Sequence, residues 1–382
     1  MSFTSDKQSG VGPSQPKGRR SNKDAPLISA GGIVERANSG VPQRWRLRVA
    51  LLIVAVVATF VLFGLREHRR PGGDTDFAQE IAAEPFDVFY VRSPLTIYLH
   101  QAAYHFIFKP LGLTPADAVG FCSSVAGGLF VATLVAISQH WLFLLFNLSA
   151  PLMLIFCGHV EHYAWVNALL TVSFLAVKRH LETQRPLWPA VALALLAASS
   201  HMLAVFYAPA FLYLTAARHP TRRRWDWRLS LRDREISLIL VIVWAVWFCG
   251  SQLVFRVGGL DNGLQRLVPL RLPDEEARHL FSLFSWAHLK MWLLFHWKSS
   301  PLGLGALILL GWTIRTRFEK FLLLATACGF FWTWMWHPDR AERDWDLFAN
   351  LALPLNLLVG LLLARLLPSR SEHEASQEEG RL

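Results

Sequence analysis

The sequence predicts an all-α, polytopic membrane protein with about ten spans, and composition, the spacing of its apolar runs and the placement of its charges predict it. Of 382 residues, 53% belong to the hydrophobic set and 17% are charged, with a mean hydropathy of +0.31. That composition suits a chain solvated by lipid rather than by water. The 16 Trp and 26 Phe agree, because Trp collects at the headgroup level.

Residues 1–45 are rich in Ser, Gly, Pro, Lys and Arg and have little to bury, so they read as a disordered cytoplasmic tail. They are not a signal peptide, since the first apolar run begins too late. Residues 46–366 form the transmembrane domain, and 367–382 a second cytoplasmic tail. Within the domain the apolar runs are 49–65, 116–138, 141–158, 162–178, 187–200, 202–217, 236–255, 301–314, 319–336 and 347–364. They are weighed against the roughly 17–25 residues that cross a hydrocarbon layer, and the fifth and eighth are short. Two stretches, 94–113 and 280–297, interleave apolar residues with Lys, His, Tyr or Trp, and read as amphipathic helices along the outer interface.

Ten crossings that start in the cytoplasm put Lys178 to Arg185, Arg218 to Glu235, Arg315 to Lys320 and the final tail inside. The excess of Lys and Arg (38 against 28 Asp and Glu) falls on those inner segments, as the positive-inside rule requires. The run Arg222-Arg223-Arg224 is then an orientation signal and no nucleic-acid patch. Arg66, Arg69 and Arg70 run against the rule. The predicted location is the inner (plasma) membrane, multi-pass, with both termini cytoplasmic. Cys122, Cys157, Cys249 and Cys328 all sit in apolar sequence and suggest neither a disulfide framework nor a metal cluster.

Ionisable groups are expensive near lipid, so where they occur is informative. The topology brings four groups of them to the outer surface. Asp74, Asp76, Glu80, Glu84 and Asp87 follow the first span, and such carboxylates deprotonate a hydroxyl, hold a divalent cation, or simply form a solvated acidic loop. Gly158-His159-Val160-Glu161-His162-Tyr163 separates two apolar runs with almost no turn residues. Read as a helix, its two His and one Glu point in different directions, so no metal ligand is assigned. Ser199-Ser200-His201 occupies the next outer hairpin, suited to phosphate oxygens or to helix packing. Arg340, Arg343, Asp344 and Asp346 lie in a charged loop before the last span, where guanidinium groups clamp a phosphate or form surface ion pairs. The segment from Arg256 to Ser300 is long enough to cap a site, and no P-loop, dinucleotide fingerprint, nucleophile elbow or His-Glu-x-x-His is present.

The order of these features resembles the GT-C class of polyprenyl-phosphate-sugar glycosyltransferases, which includes protein mannosyltransferases and lipid A aminoarabinose transferases. Asp74-Thr75-Asp76-Phe77-Ala78-Gln79-Glu80-Ile81-Ala82 resembles the acidic motif of the first outer loop. Ser93-Pro94-Leu95-Thr96-Ile97-Tyr98 through Phe108-Lys109-Pro110-Leu111-Gly112 resembles the amphipathic segment after it. Glu161 stands where family members carry an acid, and Ser200-His201 before Phe206-Tyr207-Ala208-Pro209-Ala210 resembles the polar break of the next hairpin. The likeness covers residues 45–220. The acidic pair here is Asp-x-Asp rather than two adjacent acids, and His201 replaces a common Lys.

The resemblance implies a transferase that moves a sugar from a polyprenyl-phosphate donor to an acceptor on the outer face. Asp74 or Asp76 would be the catalytic base, and Arg92, Tyr98, Glu161, His162, His201, Arg340, Arg343, Asp344 and Asp346 would bind substrate. The paired acids would act with or without a divalent cation, Mg or Mn. Membrane lipids and the lipid-linked donor are the expected partners. Two alternatives stay open: a lipid or solute transporter or flippase, which would carry charges within its spans and an inverted repeat, and a non-catalytic polytopic scaffold, which would scatter these acids.

Overall fold

The computed structural model describes residues 40–68, 75–83, 93–216, 227–257, 267–271, 282–336 and 345–367. Contacts divide the chain into Met1–Arg48 and Val49–Leu382. Both proposed tails lie almost wholly outside the described residues.

The protein is an all-α membrane protein. Its helices are α1 (Gly40–Gly64), α2 (Thr75–Ala82), α3 (Pro94–Ala103), α4 (Pro115–Ile137), α5 (Trp141–Leu148), α6 (Tyr163–Thr183), α7 (Trp188–Ser200), α8 (Ala208–Ala216), α9 (Trp227–Val257), α10 (Trp286–Ser299), α11 (Gly303–Leu310), α12 (Arg317–Met335), α13 (Trp345–Ala349) and α14 (Ala352–Leu366). Among the described residues, strand pairing amounts to an isolated bridge between Leu267 and Trp336.

Each apolar run contains helix, yet many of the helices are short or broken. Among the described residues, two helices are long and apolar enough to cross a membrane unaided, Trp45–Gly64 and Pro115–Ile137. The run 141–158 divides into α5 and the 3-10 turn Pro151–Phe156, and 202–217 into the 3-10 turn Met202–Tyr207 and α8. In the stretch expected to lie flat, 280–297, helix α10 begins at Trp286, and it bends by 94° into Gly303–Thr313. Ser300 and Pro301 occupy the bend, where proline supplies no amide to continue the ladder.

Local sequence explains where helices start and stop. Thr114 and Asp117 form a capping box ahead of Pro115 at the head of α4, and Thr316 and Glu319 do the same for α12. The amphipathic segment runs from α3 through one π turn to Leu111, and stops where Gly112 takes a φ of +73°. Its outward face shows Phe106 and Leu111 while Ile97 and His100 are buried beneath, as an interfacial helix should be.

α4 is the hinge of the packing. A side chain at Gly128 would put Cβ 2.2 Å from Thr59 Oγ1, and one at Gly127 would lie 2.5 Å from Leu62 Cδ1. Small residues therefore let α1 and α4 meet backbone to backbone, the usual device where lipid removes the hydrophobic drive between helices. Elsewhere α1 is bare, with Leu52, Ile53 and Phe60 exposed in the manner of a lipid-facing surface. Behind α4, the rings of Phe174, Tyr207, Phe211, Trp244 and Phe321 meet edge to face in the centre of the bundle.

The two ends of the bundle are polar in different ways. At the end where α4 finishes, Glu319 pairs with Arg365, whose Nη1 donates to the Thr313 carbonyl, and Asp233 Oδ1 accepts the Leu187 and Trp188 amides at 2.7 and 3.1 Å. These residues close helix termini. The end where α4 begins gathers the unusual side chains.

Candidate functional site

The connector between Cys157 and Tyr163 has no regular helix, and it organises the site. Gly158 turns the chain with φ +67°, close against Gly120 of α4. Two α4 hydroxyls then hold the backbone: Ser124 donates to the Phe156 carbonyl at 3.1 Å and Ser123 to the His159 carbonyl at 2.8 Å. The reading of this stretch as helical, on which its ligands were judged divergent, is corrected here. The segment is not helical, so the helical rule does not separate its side chains, and one ligand atom of His159 lies within 4.8 Å of one of Glu161.

His159 is 1% exposed, and its Nε2 lies 3.0 Å from Oδ2 of Asp346, at the start of α13. Asp346 Oδ1 accepts the Leu347 amide at 2.9 Å. Glu161, 8% exposed, brings a carboxylate oxygen so that one ligand atom from each of His159, Glu161 and Asp346 lies within 4.8 Å of the others. A chain of amides continues inward from α13. Asn350 donates to the Asp346 carbonyl and accepts from Asn167 of α6, while Tyr207 donates to the Asn350 carbonyl at 3.3 Å.

His162 turns the other way. Its Nδ1 is 3.0 Å from the hydroxyl of buried Ser93, and its ring lies 4.0 Å from that of Phe77 and 6.3 Å from that of His201. His201 closes the C-terminus of α7 and accepts the Leu203 amide on Nδ1. Thr96 donates to the Ser200 carbonyl at 2.8 Å, so the amphipathic helix is tied to the same corner. Phe77 and Ile81 of α2 pack with Ile97, Val119 and Val160, and Tyr98 covers them. The Gln101 amide and the His105 ring hold α2 from the far side, at the carbonyls of Glu80 and Ala83.

Of the residues picked from sequence, Tyr98, Glu161, His162, His201 and Asp346 are thus brought to one end of the bundle. Asp76 lies on α2, one residue before Phe77. Asp74, Arg92, Arg340, Arg343 and Asp344 lie outside the described residues. His159, weighed from sequence as a metal ligand and set aside, and Ser93, not chosen from sequence as a site residue, join Asp346 and His162 at that end of the bundle. For His159 the signal was present, a His two residues before an acid in a segment too short to be a helix.

His100 stands apart. It is fully buried on α3 with its ring 5.6 Å from Phe77, and among the described residues neither ring nitrogen has a hydrogen-bond partner. Burial drives its pKa down from 6.5 to about 3, so it is neutral at physiological pH.

No family model and no curated protein matches the chain. Solved structures do. ArnT from Cupriavidus metallidurans bound to undecaprenyl phosphate superposes with a TM-score of 0.53 at 15% identity, over 85% of this chain and 61% of that one. The apo state of the same protein gives 0.50 at 14% identity, over 88% and 62%. The fold is of the GT-C type. The chain spans about three-fifths of the length of ArnT, and at such identity the likeness establishes the fold alone.

Proposed function

We propose that this protein is a membrane glycosyltransferase that takes a sugar from a polyprenyl-phosphate-linked donor and passes it to an acceptor hydroxyl at the outer face of the inner membrane. The observation that carries the reading is the seating of α2, the helix of the acidic motif, on the polar connector through Phe77 and His162. Two segments about 80 residues apart in sequence thereby meet where α4 begins. The GT-C-type fold, and a neighbour crystallised with undecaprenyl phosphate, support the donor class.

In this reading the acceptor oxygen bonds to the anomeric carbon while the bond from that carbon to the phosphate oxygen breaks. The bonding pair leaves with the lipid phosphate, and the hydroxyl proton passes to Asp74 or Asp76. Arg92, Arg340, Arg343 and His201 would meet the charge that develops on the phosphate. Tyr98, His162, Asp344 and the Glu161 and Asp346 carboxylates would orient the sugar and acceptor. A site at the membrane boundary suits a donor whose head is in water and whose tail is in lipid.

The test uses membranes supplied with radiolabelled polyprenyl-phosphate sugars. Asp74→Asn and Asp76→Asn should leave abundance unchanged, and at least one should reduce transfer by roughly 10²-fold or more, the range of a lost general base. Full transfer by both variants overturns the reading.

A further inference from the structure

We infer that His159, Glu161 and Asp346 form a binding site for one divalent transition-metal cation, of the Mn or Zn class. Three observations carry this. One donor atom from each side chain lies within 4.8 Å of the other two, and all three residues are buried. The 3.0 Å between His159 Nε2 and Asp346 Oδ2 matches one edge of a coordination shell with metal–ligand distances of about 2.1 Å. Both of those ligands are also held from behind: Ser123 fixes the His159 backbone, and the second Asp346 oxygen is occupied by the Leu347 amide. Such outer contacts orient first ligands in metal sites. The Trp345 ring, 6.1 Å from that of His159, supplies an apolar wall.

The donor set narrows the metal. Imidazole with two carboxylates favours a borderline transition cation, whereas Ca and Mg prefer oxygen alone. Three protein ligands leave coordination positions open, the pattern of working rather than structural sites. Given the transferase reading above, on which this role rests, those positions would take oxygens of the donor phosphate and neutralise the charge left when the sugar departs. The binding claim itself does not need that reading.

The experiment is metal binding by the full chain in detergent, stripped with chelator and titrated with Mn, followed by the loss of the free-Mn paramagnetic signal and by elemental analysis. The wild type should bind one Mn per chain. His159→Ala and Asp346→Asn should each weaken binding at least about tenfold, and Glu161→Gln, which preserves shape, should do the same if either of the others fails to fold. Absence of stoichiometric binding, or binding unchanged in folded variants, overturns the site. Asp76→Asn should still bind Mn. A wild type that binds Mn but transfers no sugar sinks the transferase reading and leaves the site standing, whereas transfer that persists in chelator with no bound metal overturns the metal's role in transfer.

Discussion

The phenyl ring of Phe77 lies 4.0 Å, centroid to centroid, from the imidazole of His162, and through this contact a helix of eight residues is fixed to the bundle. An isolated helix of that length would not persist in water, so its place depends on what it packs against. Phe77→Ala removes a side chain that is 1% exposed and should cost roughly 3–5 kcal/mol. Limited proteolysis should then cut within 75–83, which the wild type resists. Phe77→Leu should restore most of the protection.

Close approach of α1 and α4 gives a paired test. Gly128→Ala drives a methyl group into Thr59 and the Ala55 carbonyl and should destabilise by about 1–3 kcal/mol. Gly250→Ala, on α9 with nothing within 4 Å, should stabilise by about 0.5–1 kcal/mol. Equal thermal shifts in detergent for the two variants would contradict the close packing.

His100 sets a pH response. Its folded pKa of about 3 lies below the ordinary 6.5, so between those values the unfolded chain binds the proton and the folded one does not. The stability tied to neutral His100 is complete above about pH 6.5 and is lost as pH falls toward 3. His100→Leu removes two buried nitrogens without partners among the described residues, so it should match or exceed the wild type in stability and flatten the acid limb of its pH profile. Thermal melts between pH 4 and pH 7, a range chosen to cover roughly that limb, provide the comparison.

Asn167 and Asn350 join α6 to the turn after α13, and their coupling should be modest. Membrane double-mutant cycles average about 0.6 kcal/mol because the unfolded helices also find partners. A cycle built from Asn167→Ala and Asn350→Ala, measured by detergent unfolding, should give a coupling below about 2 kcal/mol. A larger value would assign this pair a role in holding the Asp346 turn.

Much of the fold was legible because lipid imposes simple rules. The apolar run at 116–138 became α4 almost residue for residue, the run at 49–65 forms the later part of the longer α1, and Gly112 stopped the amphipathic segment where the sequence placed its end. Glu161, His162 and His201 were picked because polar residues between apolar runs need a reason to be there, and they meet at one end of the bundle. What could not be read was long-range partnership. Nothing local marks Asp346, 187 residues beyond His159, as its neighbour. The helical assumption at 158–163 also hid the closeness of His159 and Glu161, because one left-handed glycine changes which side chains coincide. His100 looked like the polar face of an interfacial helix, and its burial under Phe77 depends on α2 folding back.

The 3-10 turns beside the site bear on reach. Pro151–Phe156 stops just before Gly158, and Met202–Tyr207 starts just after His201, each six residues long. Winding at about 2.0 Å per residue instead of 1.5 Å carries each segment about 3 Å further along its axis than an α-helix of equal length. Short runs such as Met202–Thr215 thereby reach further along their axes than their residue count suggests.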